Sequence, residues 1–167
     1  MPPERSGDPI AQDVHCPARS AVRSAVMWCQ HHNGVFRSED RGAAWHEVTA
    51  IRPSKFGFAV VAHRRDPNTA WFVPAIKDKR RIPVDGKVVV ARTRDGGQSF
   101  DILRNGLPQR HANDLVWRHT LAVDDGGEIV AFGSTSGGLW ISEDGGDSWA
   151  PLDARLPPIA VVRFAHA

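Results

Sequence analysis

The sequence predicts an all-β chain, a partial β-propeller of about three four-stranded antiparallel blades. Two observations carry this. An eight-residue pattern occurs three times, as SEDRGAAW (38–45), TRDGGQSF (93–100) and SEDGGDSW (142–149). Each copy reads Ser/Thr, any, Asp, any, Gly, any, any, aromatic, and the aspartates at 40, 95 and 144 lie 55 and 49 residues apart. The flanks repeat as well: a short apolar run precedes each copy (GVFRS, KVVVART, GGLWIS) and a strand-like run follows it (AWHEV, SFDIL, SWAPL). Four short strands per unit, repeated at 40–50 residues, are the signature of propeller blades.

The elements follow in order. Residues 1–25 are rich in Pro, Arg, Asp and Ser and read as an irregular N-terminal segment. Residues 26–50 then form a partial blade, 56–104 and 115–152 two full blades, and 159–164 (IAVVRF) a closing strand. Within a full blade, strands 1 and 2 join at a tight-turn signal, Asp66-Pro67-Asn68 or Asp124-Asp125-Gly126-Gly127. Strands 3 and 4 join at the repeated motif. No long amphipathic helix is evident in the pattern.

Each motif position has a structural task. The aspartates Asp40, Asp95 and Asp144 can accept turn N–H groups. Gly42, Gly97 and Gly146 supply positive φ, Ser38, Thr93 and Ser142 bond the turn, and Trp45, Phe100 and Trp149 bury apolar surface. Three copies cannot all be active sites, so the acid pairs beside tryptophan read as architecture.

These motifs resemble the Asp-box, or BNR, repeat of sialidases, xyloglucan-degrading glycosidases, sortilin-type receptors and photosystem II stability factors. The resemblance covers residues 26–167 and is shared with bacterial proteins described as sialidase-like or glycosyl-hydrolase-like. It implies a propeller in which the box lies away from any catalytic centre.

Composition bounds the function. The chain has 167 residues, a net charge of +2 and no tyrosine. A sialidase mechanism with a tyrosine nucleophile is therefore excluded for this chain. The weak basic balance gives no reason to expect nucleic acid, and no apolar run is long enough to expect a membrane span. The N-terminus has no apolar core of a signal peptide. With two cysteines, Cys16 and Cys29, a reduced, cytoplasmic setting is expected. His15, Cys16, Cys29 and His31 fit no zinc spacing, so neither metal nor cofactor is expected.

Propeller geometry puts the motif turns and the strand 1–2 turns on one face. The remaining loops, 30–34, 50–58, 74–87, 106–115 and 133–138, lie on the other, where ligands usually bind. They gather His31, His32, Lys55, Phe56, Lys77, Arg80, Arg110, His111, Asn113 and Asp114 as candidate binding residues, with Asp78 and Arg81 among them. Asp114, Asp78 and His111 are the weak catalytic candidates. The expected function is a ligand- or protein-binding module, with a glycan or a protein as partner. The alternatives are an exo-sialidase-like glycoside hydrolase whose remaining blades are missing and an inactive truncated paralogue. Open blade edges would favour self-association.

Overall fold

The computed structural model describes residues 7–9 and 12–165. These form three four-stranded antiparallel sheets, each running in chain order from innermost to outermost strand. Blade 1 holds β1 (Val14–Arg19), β2 (Met27–His31), β3 (Gly34–Ser38) and β4 (His46–Glu47). Blade 2 holds β5 (Gly57–Ala62), β6 (Ala70–Pro74), β7 (Val90–Thr93) and β8 (Asp101–Leu103). Blade 3 holds β9 (Leu121–Val123), β10 (Val130–Gly133), β11 (Leu139–Ser142) and β12 (Ala150–Pro151). A 3-10 turn, Val84–Gly86, interrupts the β6–β7 loop. No helix among the described residues is long and apolar enough to cross a membrane.

Blade 1 is complete, not partial. β1 comes from the stretch that the sequence reads as irregular, and it pairs with β2 from Val14↔His31 to Arg19↔Met27 with a bulge between Val14 and Cys16. Pro17 hid it, because proline lacks the N–H a central strand needs. β1 is the innermost strand of its sheet, with β2 on one side only, and an edge position tolerates proline. The expected closing strand is also corrected. Residues 159–164 adopt no strand; Ile159 N–H donates to Ser134 O at 3.0 Å and Val162 N–H to His119 O at 2.9 Å, so the tail lies along blade 3.

Blade 2 sits between two neighbours. All of β6 and β7 is buried, so the alternation of a half-buried strand disappears. In β1 and β11, each on a blade with one uncovered face, buried and exposed positions are mixed. Blades 1 and 2 bury Trp28, Val35, Val60 and Phe72 between them. Blades 2 and 3 bury Trp71, Val90, Leu121, Phe132, Trp140 and Trp149.

The three motif turns share one set of bonds. Ser38, Thr93 and Ser142 each donate a hydroxyl hydrogen bond to the motif aspartate, at 2.8, 2.9 and 2.7 Å, and accept the N–H of Gly42, Gly97 and Gly146. The aspartates accept N–H groups four residues on, from Ala44, Ser99 and Ser148. Ser99 and Ser148 add hydroxyl bonds, at 2.6 and 2.5 Å, to Asp95 and Asp144. Ala44 cannot do this for Asp40. Each turn is also tied to the strand 1–2 turn of its own blade, by Arg41 N–H to Ala25 O, Gly96 N–H to Asn68 O and Gly145 N–H to Glu128 O.

These bonds favour the carboxylate form. The Ser99 and Ser148 hydroxyls and N–H groups lower Asp95 and Asp144 from 3.8 to about 2. A folded-state pKa below the unfolded one contributes stability above the unfolded value, lost as pH falls through the folded value. Thermal melts are therefore expected to hold level down to about pH 4 and to fall between about 4 and 2. The Asp95→Asn/Asp144→Asn double variant should melt lower at neutral pH and lose much of that acid-dependent step. An unchanged step would show that other groups set the acid limit.

Candidate functional site at the channel mouth

The innermost strands β1, β5 and β9 line a cleft of about 800 Å³ that Pro17, Val61, Arg64, Arg118, Asp124 and Arg163 help to bound. Each inner strand begins on the loop-rich side. There β1 brings His15, β5 brings Phe58, and the segment entering β9 brings Trp117 and Arg118.

An aromatic group lies at this side, next to the cleft's Arg118. Phe58 stacks on His15 at 4.5 Å between ring centroids and meets Phe56 edge-on at 5.3 Å and Trp117 at 4.9 Å. Phe56 and Phe58 are buried and Trp117 is half-buried. Two guanidinium groups cover the rings. Arg118 lies 5.7 Å and Arg81 5.5 Å above Phe58, and Arg81 lies 6.0 Å from Trp117. Arg81 also pairs with Asp78 at 2.5 Å. The tight hairpin around 77–80, closed by Arg80 N–H to Lys77 O at 2.9 Å, carries this pair over the mouth. Arg118 makes no ion pair among the described residues.

A polar group stands beside these rings. His15 Nδ1 is 2.7 Å from Gly57 O, so this nitrogen carries the hydrogen. Its Nε2 faces Asp13 Oδ2 at 3.2 Å, and His32 Nδ1 faces the same oxygen at 3.8 Å. Burial lowers the pKa of His15 below the ordinary imidazole value, although the Gly57 bond and Asp13 act the other way.

The residues expected on this face divide. His32, Phe56, Asp78 and Arg81 meet at the mouth, and Lys77 and Arg80 sit on its hairpin. His31 does not face a ligand: it is 1% exposed in β2, where Nδ1 accepts the Asn33 N–H, and strand alternation turns it to the outward side of blade 1 beside Phe36. Lys55 pairs with Glu47 at 2.7 Å. Asp114 accepts hydrogen bonds from Ser134 and Ser136, which fix the β10–β11 loop. His111 adopts φ 53° where Ala112 N–H bonds Gly86 O, and Arg110 and Asn113 are exposed beside it. The candidate catalytic carboxylates Asp114 and Asp78 are thus each engaged by their own neighbours.

Asp13, His15, Phe58, Trp117 and Arg118 were not among the sequence candidates. Asp13 and His15 fell inside the supposed irregular segment. Phe58 reads as ordinary core, and the Trp117–Arg118 pair sits just before a strand rather than in a long loop. A signal existed for the last pair, an aromatic next to an arginine, once β9 is placed.

Neither a protein-family model nor a curated protein matches the sequence. Solved structures do. The chain is similar to an ancestral GH74 enzyme at 15% identity and a TM-score of 0.63, over 84% of this chain and 18% of that one. It is similar to the GH74 xyloglucanase from Xanthomonas campestris at 20% identity and a TM-score of 0.61, over 83% of this chain and 20% of that one. YCF48 bound to D1 peptide matches at 15% identity and a TM-score of 0.63, over 89% of this chain and 42% of that one. The fold is an arc of β-propeller. At these identities the likeness concerns the fold alone, and the chain spans less than half the length of each of these three neighbours.

Proposed function

We propose that this three-bladed arc is a binding module that holds an extended acidic peptide segment across the channel mouth. The carrying observation is Arg118, stacked on Phe58 at 5.7 Å beside the half-buried Trp117. The half-buried Trp117 ring offers stacking area, and a guanidinium held over an aromatic ring keeps its fork of donors for a carboxylate. The YCF48 structure with a bound peptide supports a peptide as the occupant of a similar fold.

The test is a displayed peptide library followed by fluorescence anisotropy on the enriched sequences. Acidic peptides should be enriched. Arg118→Ala and Trp117→Ala should each weaken binding by tenfold or more, the scale of an interface hot spot of about 2 kcal/mol. Asp144→Asn, on the opposite face, should not weaken it. Peptide binding indifferent to both mouth variants would place the site elsewhere.

Glycoside hydrolysis is the second reading. Asp78 pairs with Arg81, whose guanidinium lies 6.0 Å from the Trp117 ring, Asp13 pairs with His15, and enzymes of the GH74 class share the fold. Release of sugar from xyloglucan oligosaccharides or aryl glycosides, abolished by Asp78→Asn and retained in Asp144→Asn, would put this reading first.

A further inference from the structure

Asp13, His15 and His32 come from separate places in the chain and converge at one point. Asp13 precedes β1, His15 lies in β1, and His32 lies in the turn between β2 and β3. The backbone joins them, because His32 N–H donates to Asp13 O at 2.9 Å. One ligand atom of each, Asp13 Oδ2, His15 Nε2 and His32 Nδ1, lies within 4.8 Å of the other two.

What faces what is the decisive point. The His15 hydrogen is on Nδ1, committed to Gly57 O. In its neutral form the ring then presents an Nε2 lone pair to a carboxylate oxygen at 3.2 Å. Two acceptors at that distance repel unless something positive sits between them. His32 Nδ1 is buried and has no hydrogen-bond partner among the described residues. The His15 side chain is 1% exposed and that of His32 18%, so water does little for either ring.

We propose that Asp13 Oδ2, His15 Nε2 and His32 Nδ1 form a binding site for a divalent transition metal of the zinc class. Ligands 2.0–2.1 Å from a tetrahedral ion lie about 3.3 Å apart, and the two separations from the carboxylate oxygen are 3.2 and 3.8 Å. Two imidazoles and one carboxylate select a transition metal over calcium or magnesium, which take oxygen ligands. The His15 Nδ1–H bond to a backbone carbonyl is the outer contact that fixes the tautomer of a metal-bound histidine. Three protein ligands leave a fourth position for water or for a donor atom of a bound molecule. The site is independent of what the mouth binds: it rests on the three ligands alone, and its loss or retention is read without any peptide or sugar.

The experiment uses the untagged full chain, stripped with a chelator and titrated with Zn²⁺ by calorimetry and with Co²⁺ by visible absorption. One equivalent should bind, and Co²⁺ should give the ligand-field bands of a low-coordinate nitrogen–oxygen site. Asp13→Asn and His32→Gln should each lower affinity by about 100-fold or more, beyond the 10–100-fold typical of outer-contact changes. Histidine ring ¹⁵N shifts of the wild type provide a reading free of any folding defect in the variants. Zn²⁺ should move His15 Nε2 and His32 Nδ1 and leave His63 unmoved. Stoichiometric binding that survives both substitutions, no binding to the wild-type chain, or unmoved His15 and His32 signals would each overturn the assignment.

Discussion

Trp71→Ala is expected to bring the chain close to unfolding at room temperature. Trp71 is 1% exposed in the middle blade, and its ring fills the interface with blade 3. Removing a buried tryptophan ring costs about 3–5 kcal/mol, a large part of the 5–15 kcal/mol that holds a typical domain. The indole also does something directional. Its Nε1–H donates to Gly145 O at 2.8 Å, in the motif turn of blade 3. Arg92, 3% exposed, donates to the same carbonyl at 2.9 Å and to Asp147 at 2.7 Å and Asp101 at 3.0 Å. A turn from one blade is thus clamped by two side chains of the next. Trp71→Phe keeps most of the ring and loses the bond, so a smaller loss of about 1–3 kcal/mol is expected. Urea denaturation would order the three proteins. A Trp71→Ala midpoint within 1 kcal/mol of wild type, by about the usual m-value, would mean the clamp does not hold the blades together.

Gly106→Ala is expected to cost about 2–5 kcal/mol, an unusual effect for a loop position. Gly106 has φ +83°, where a side chain costs about 1–2 kcal/mol. A Cβ there would also lie 1.9 Å from Trp149 O, so backbone must move; overpacking of this kind adds about 1–3 kcal/mol. The contact joins the outer edges of blades 2 and 3, where Trp149 N–H bonds Asn105 O at 3.0 Å. Gly7→Ala is the control, because among the described residues nothing lies within 4 Å of its position. Equal melting of the two glycine variants would remove the close approach as an explanation. For a chain of this size each kcal/mol corresponds to about 2–4 °C in Tm, so a single thermal scan separates the cases.

The two variants also show where sequence reasoning stops. Gly146 could be assigned a turn role from its motif, since three copies in register repeat the same backbone requirement. Gly106 stands in RNGLPQ, which reads as any loop glycine. Only the packing of a second blade shows that its missing side chain is filled by Trp149 O. Arg92 likewise looks like a charged residue in a strand, yet it is buried because two acidic side chains and a carbonyl meet its guanidinium.

Local chemistry was legible because it is local. The motif turns, the N–H bonds their aspartates accept and the four-strand unit all follow from residues within one repeat. The channel mouth was legible only as a set of loops. Its centre was not, because His15, Phe58 and Trp117 reach it from β1, β5 and the segment entering β9, which no spacing links. Pro17 concealed β1, and with it Asp13 and His15. What the sequence alone determined is a blade that repeats. What the tertiary structure decided is which side chains the blades bring to one point: each blade fixes its own turns by short-range bonds, whereas the mouth and the clamps exist only where blades meet.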